Sequence, residues 1–489
     1  MSDYFGAEIA QQAIERPTAP AVLTPYATID FRTFHRWIEG IAGALIDAGV
    51  TPGTVVAFVL RNRARDLAAL MALQRLGAPV LVLDADEPAA LRNALSARAG
   101  ARVTVADASD GNGSDLPVLS PTREWLAHPP AAVPPPPPDR ISYMTRSSGT
   151  TGGISKLVPT DHGWEVGRIR STYLHFPIEA TDRYLTMMRF SFGIARDHAI
   201  RTLLRGGAVI LPPPLRSAAV LLAAARDHGA TWTSATPIHL RELLAVEGPH
   251  PLLPEVRVIA SAAMLTPAER VKVMQRITPK LYIVYGTNEV GVISVANPAD
   301  LGIDIASVGR LDAGIEGEAV DDDDRSLPRG QVGTLRFRHP RFALAYLDPP
   351  PGASSRFVGE WFYPGDAGLI DAEGRVQLRG RVDDAINVSG IKVHPGDIEA
   401  CLAAHPAVGD VAAFGYPSRR LGMVPFAMVV ADHLTGEATL VDHCRSRLGA
   451  AATPARILLV DAIPRTTNGK FDRRSLARHA RTILGAGGA

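Results

Sequence analysis

Residues 147–156 read Ser147-Ser148-Gly149-Thr150-Thr151-Gly152-Gly153-Ile154-Ser155-Lys156, a mixture of hydroxyls, glycines and one cation. Phosphate is the ligand this mixture suits. Glycines let backbone N–H groups approach oxyanions, hydroxyls donate further hydrogen bonds, and a lysine neutralises charge. A nucleotide P-loop is the obvious rival, but it needs Gly-Lys-[Ser/Thr], and Lys156 stands between Ser155 and Leu157. A Gly/Ser linker is the structural alternative; the strand-like sequence at 141–145 directly before the loop argues against it.

Four further segments follow in order: Tyr285-Gly286-Thr287-Asn288-Glu289, Tyr363-Pro364-Gly365-Asp366, Gly380-Arg381-Val382-Asp383-Asp384, and Pro464-Arg465-Thr466-Thr467-Asn468-Gly469-Lys470. With the first loop they resemble the adenylate-forming superfamily of acyl-CoA and aryl-CoA synthetases, free-standing adenylating enzymes and luciferases, whose loop signature is [ST]-S-G-[ST]-T-G-x-P-K. Five short motifs in the right order are far more specific than any one. This chain departs in having one extra residue before Lys156, Ser155 in place of proline, and Asn288 and Pro364 where the family has threonine.

The resemblance implies the following roles. Ser147, Ser148, Gly149, Thr150, Thr151, Gly152 and Lys156 hold ATP phosphates, Tyr285 stacks on or lines the adenine, and Asn288 still offers an amide to phosphate. Glu289 holds Mg²⁺, an oxygen ligand for a hard cation. Asp366 grips the ribose hydroxyls, because an ionised carboxylate accepts two hydrogen bonds at once, and Arg381 reinforces the ribose or α-phosphate. Lys470 stabilises the charge that builds as the acid attacks the α-phosphorus. Asp383 is the hinge. About it a small C-terminal domain turns, replacing the Lys470 loop with the face around Ser389 and Gly390, where a glycine leaves room for a slender thiol arm.

The implied activity is ATP-dependent ligation of a carboxylic acid to coenzyme A, through an acyl-adenylate. Loading of a separate carrier protein is the alternative acceptor chemistry, and a non-catalytic nucleotide-binding homologue is a third reading. The acyl pocket is expected around Phe190, Ser191 and Gly286. Arg196, Asp197 and His198 are expected to face solvent, with recognition of a polar acid as the alternative. The stretch Lys156-Leu157-Val158-Pro159 is similar to aryl-acid-activating members, which puts an aromatic acid ahead of an aliphatic one.

The elements that must position these residues alternate. Helical spacing at 28–48, behind a possible Asp30 cap, leads into a strand at 55–60; helices at 64–76 and 87–99 flank strands at 80–83 and 103–106. Strands at 208–211, 231–235, 256–260 and 281–285 alternate with helices at 217–228, 237–246 and 266–275. This predicts an α/β body with parallel sheets. A β-rich subdomain follows at about 305–380, carrying a solvated acidic run at 321–324. A small α+β domain with helices at 396–404 and 439–448, and strands at 410–416, 425–431 and 456–460, closes the chain. The expected boundary lies between 382 and 383.

The bulk numbers set the limits. A chain of 489 residues exceeds one ordinary core. With 51 Lys and Arg against 50 Asp and Glu there is no whole-chain field to gather nucleic acid or anionic membrane. Two cysteines, Cys401 and Cys444, exclude a disulfide framework or a zinc site of the usual spacing. No apolar run reaches the ~18 residues of a membrane span, and an acidic N-terminus is unlike a signal peptide. A cytoplasmic protein is expected.

Overall fold

Aliphatic runs enclosed by helices become the strands of parallel sheets, because both faces of such a sheet are covered. Val56–Leu60 is buried at every position and pairs in parallel with Val80–Asp84 and Val103–Val105. The helix Phe31–Asp47 starts at Asp30, whose carboxylate accepts from the Thr33 N–H at 2.7 Å, the expected cap. This computed structural model describes residues 5–151, 154–172, 175–214, 217–339, 345–347, 349, 356–388, 391–418, 422–465, 471 and 473–486.

Strand β1 (Ile141–Thr151) joins Val80–Asp84 in parallel, then pairs antiparallel with β2 (Ile154–Asp161) at the edge of a six-stranded sheet. The stretch expected as a phosphate loop is therefore largely the arm of a hairpin. Thr150 and Thr151 pair with Ser155 and Ile154, and the register slips between Arg146 and Thr150. Threonine and isoleucine favour extended backbone, so the arm continues beyond residue 145.

Helix α1 (His162–Thr172) packs on β1, and helix α2 (Gly193–Leu204) packs on the strands Arg183–Thr186, Ala208–Ile210 and Trp232–Ala235. Those strands belong to a nine-stranded sheet, parallel through its centre. It ends in the antiparallel hairpin of β3 (Leu281–Thr287) and β4 (Gly291–Ala296), followed by Arg310–Leu311. The third sheet includes Glu316–Val320, Gly333–Arg338, β5 (Asp366–Ile370) and β6 (Val376–Arg381), all antiparallel.

After a 3₁₀ turn at Val382–Asp384 come the hairpin β7 (Ile386–Val388) and β8 (Ile391–Val393), and helix α3 (Pro395–Ala403). The long pair Val408–Ser418 and Gly422–Ala431 follows, with Arg456–Leu459 alongside. This sheet has its own apolar clusters, one containing Leu402, Val429 and Leu440, the other Phe414, Phe426 and Leu476. Leu476 comes from a closing helix, Arg473–Ala486, that adds to the two helices expected here. Cys401 and Cys444 are free and buried in the first cluster. Among the described residues no helix is long and apolar enough to cross a membrane.

Candidate active site

Two clusters gather most of the described candidate residues. The first begins with backbone pairing: β5 and β6 set Asp366 directly opposite Arg381. Arg381 Nη1 donates to Asp366 Oδ1 at 2.8 Å and to the Pro364 carbonyl at 2.7 Å. The other carboxylate oxygen accepts from the Tyr285 hydroxyl at 2.7 Å. Gly365 takes φ +79° in the turn before Asp366, and a Cβ there would sit 2.8 Å from Arg381 Nη2. A glycine at this point lets the arginine close over the turn. Burial, reinforced by Asp366, raises the Tyr285 pKa well above its usual value, so the phenol stays a donor.

The second cluster follows from a bridge between Leu157 of β2 and Leu347, with the Leu347 N–H on the Leu157 carbonyl at 2.9 Å. That bridge lays the Tyr346 ring under the Lys156 ammonium, 4.5 Å from nitrogen to ring centre. The Tyr346 hydroxyl donates to Glu289 Oε1 at 3.0 Å. Lys156 and Glu289 are both buried, at 4% and 6% exposure. Burial lowers the Lys156 pKa and Arg356 adds to the effect, while Glu289 opposes it. A buried lysine and carboxylate beside one tyrosine form a polar wall suited to a phosphate and its counter-ion.

Asn288 ties this wall to β1 by donating from its amide to the Arg146 carbonyl. Gly286 occupies a bulge in the β3–β4 hairpin, and a Cβ there would lie 2.3 Å from the Gly291 carbonyl oxygen. Its lack of a side chain is thus required by the hairpin itself, whatever passes its open side.

One expectation about the acid region is corrected, that for the charged residues of α2. Phe190 is 0% exposed and belongs to the main core, with its N–H on Asn62 Oδ1 at 2.9 Å. Arg196, Asp197 and His198 do not face solvent but lie inside, because α2 packs on the nine-stranded sheet and the helix Phe5–Glu15, with Arg168 of α1 reaching Asp197. Ser191 donates to Asp84, which also takes Arg189 at 3.1 Å. The acidic run is less free than expected: Asp322 accepts from Lys392 at 2.7 Å, and Asp324 from Tyr363 at 2.7 Å.

Asp383 lies in the 3₁₀ turn between β6 and β7. Lys470, Gly152, Ser389 and Gly390 lie outside the described residues, as do the side chains of Ser147, Ser148, Thr150 and Thr151. Tyr346, Arg356 and Arg168 were not singled out from sequence; they stand outside the short motifs, and only the fold brings them near.

A layered α/β body with a buried Lys156–Tyr346–Glu289 wall, an Asp366 carboxylate held by Tyr285 and Arg381, and a small α+β unit is the setting of the family match. The chain belongs to the AMP-binding enzymes: that family model matches residues 9–347, and the AMP-binding enzyme C-terminal domain matches 397–470. It is 28% identical to a sulfoacetate–CoA ligase of Cupriavidus necator, over 98% of each chain. It is also 28% identical to a 4-chlorobenzoate–CoA ligase of Arthrobacter sp., over 98% of this chain and 95% of that one. The amide bond synthetase McbA of Marinactinospora thermotolerans superposes with TM-score 0.86 at 26% identity, covering 97% of this chain and 99% of that one.

Proposed function

We propose that this protein is an AMP-forming acid–CoA ligase. The substrate carboxylate attacks the α-phosphorus of ATP, pyrophosphate leaves, and the acyl-adenylate then yields its acyl group to the coenzyme A thiol with release of AMP. The observation that carries this reading is the meeting of β2, the β3–β4 turn and the 345–347 segment at Lys156, Glu289 and Tyr346, within a chain matched by the AMP-binding family along most of its length.

The carboxylate is already ionised at neutral pH and pyrophosphate is a competent leaving group, so the protein's work is positioning and charge. Asp366, held between Tyr285 and Arg381, presents its remaining lone pairs to the ribose hydroxyls. Lys156 faces the phosphates. Mg²⁺ fits Glu289, a buried carboxylate with an oxygen free of the Tyr346 bond, and no group of three acidic, His or Cys side chains is placed for a metal among the described residues. One protein carboxylate is what Mg²⁺ bound mainly through phosphates requires, and it supplies neutralisation of their charge. Lys470 is assigned to the adenylation step, Asp383 to the hinge, with the boundary between 382 and 383, and the Ser389–Gly390 face to the thiol. The phosphate-binding role of residues 147–152 belongs to the same proposal.

The test is pyrophosphate release from ATP with a panel of acids, with and without coenzyme A. Thioester should form only when acid, Mg²⁺ and coenzyme A are all present. Acid-dependent pyrophosphate exchange that leaves coenzyme A unacylated would instead identify a carrier-protein loader. ATP binding with no exchange on any acid would identify a non-catalytic homologue. The relatives at 28% identity are named for an aliphatic and an aromatic acid alike, so their names do not choose between ring and chain.

A further inference from the structure

Helix α2 carries a row of charged side chains deep in the molecule, and most of them are accounted for. Asp197 pairs with Arg168 of α1, which also bonds Glu165 at 2.7 Å. His198 lies among the rings of Phe176, Tyr184 and Trp232, where burial holds its pKa well below the usual value and keeps it neutral. Arg196 is different. It is 1% exposed and has no carboxylate within ion-pair distance among the described residues. Its Nη1 donates to the Phe190 carbonyl at 3.0 Å, its guanidinium lies 4.5 Å from the centre of the Tyr143 ring, and its Nε has no acceptor. The Tyr143 hydroxyl, also buried, has no partner either. A buried guanidinium held only by a ring and one carbonyl is strongly unfavourable unless an anion completes it.

The free edge of Arg196 looks toward the reaction site. A side chain on Gly193, at the start of α2, would have Arg196 Nη2 at 3.8 Å and Asn288 Oδ1 at 3.9 Å as its nearest neighbours beyond its own helix backbone. The absent side chain therefore leaves a space bounded on one side by the guanidinium and on the other by Asn288. Asn288 lies two residues after Gly286 and directly before Glu289, on the segment to which the proposed function assigns the acid and the phosphates.

We propose that Arg196 is a specificity residue that pairs with a second anionic group on the substrate acid, so that the preferred substrates are dianionic: dicarboxylates or sulfonated carboxylates. The inference rests on the ligase reading above. The substrate brings the missing counter-charge, and Gly193 leaves room for it between α2 and Asn288. A monoanionic acid of the same size leaves the guanidinium uncompensated and binds less well.

The test uses the full chain with ATP and Mg²⁺ and measures pyrophosphate release for matched pairs: succinate and 3-sulfopropionate against butyrate, glutarate against valerate, and terephthalate against 4-methylbenzoate. The dianionic members are expected to show kcat/KM at least ~10²-fold higher. Succinate against 3-sulfopropionate then tells carboxylate from sulfonate. Arg196→Gln should remove that advantage through the KM for the acid, leave the KM for ATP unchanged and favour succinamate, while Arg196→Lys should restore part of it. Equal or better turnover of the monoanionic acids would overturn the inference and leave the ligase standing. So would an Arg196→Gln variant that weakens both classes equally. Absence of pyrophosphate release with every acid would remove the ligase reading itself. If Arg196→Gln fails to fold, the wild-type preference alone decides.

Discussion

At the scale of single residues, the most informative bond is the one from Tyr285 to Asp366. Resemblance assigns Tyr285 to the adenine; the structure packs its ring edge-on against Phe337 and its hydroxyl donates to Asp366, the carboxylate proposed for the ribose. Tyr285→Phe keeps the packing and leaves Asp366 paired with Arg381, so the melting temperature should hardly change. The KM for ATP should rise about 10-fold, since a hydrogen bond to a charged group contributes ~1.5–3 kcal/mol. Steady-state kinetics at varied ATP check this. A second residue predicts a pH dependence. Burial raises the Asp66 carboxyl to about 7 from the usual 3.8, against the bond from the Arg61 N–H at 2.9 Å and the nearby arginines. Between those values the folded protein holds a proton that the unfolded chain releases. The stabilisation is present below 3.8 and is lost as pH rises toward 7, amounting to a few kcal/mol. Asp66→Asn should flatten this decline. Urea midpoints of the two proteins from pH 5 to 7.5 should converge at the acid end and separate at the neutral end.

At the scale of elements, the β3–β4 hairpin shows a structural demand beneath a motif glycine. Gly286→Ala would drive a methyl into the Gly291 backbone, and neither strand can yield without breaking the bulge. The substitution should lower stability by ~1–3 kcal/mol and activity with it. A residue that only lined an acyl passage would raise the KM for the acid and leave thermal unfolding unchanged, so melting and kinetics measured together separate the roles. Elements also explain what could be read from sequence. The strands 55–60, 80–83 and 281–285 were legible because continuous aliphatic runs have one outcome in a layered α/β body. Helix α2 was not, because Arg196, Asp197, His198 and Arg201 look like a solvated face and are instead buried where α2 packs on the nine-stranded sheet and the helix Phe5–Glu15. The closing helix Arg473–Ala486 was hidden in the same way by its arginines, although Leu476 and Ala480 fall on one face and are fully buried. The pair Lys156 and Tyr346 needed a bridge between Leu157 and Leu347 that no local pattern encodes.

At the scale of the whole molecule, the proposed function asks one small domain to serve two chemical steps. Among the described residues it meets the rest through Lys392 of β8 on Asp322, Arg379 on Asp397 at 3.5 Å, α3 against the helix Pro267–Arg276, and Gly396 of α3 against the Arg379 carbonyl, where a Cβ would come within 2.6 Å. The first pair is exposed and contributes ~0–1 kcal/mol, and Arg379 stands in β6, just before the 3₁₀ turn, so neither locks the domain. Asp384 is tied within the small domain by Arg473 at 2.9 Å, which leaves Asp383 as the residue next to the last fixed point. Ion pairs this weak are compatible with the proposal that the domain presents Lys470 for one step and the Gly390 face for the next. The two steps should then separate by mutation. Lys470→Ala should slow acid-dependent pyrophosphate release by at least ~10²-fold, as loss of an aimed charge at a transition state does. It should leave thioester formation from supplied acyl-adenylate and coenzyme A within a few-fold of wild type. Equal loss in both assays would mean that one arrangement of the domain serves both reactions, and the hinge at Asp383 would have no catalytic task.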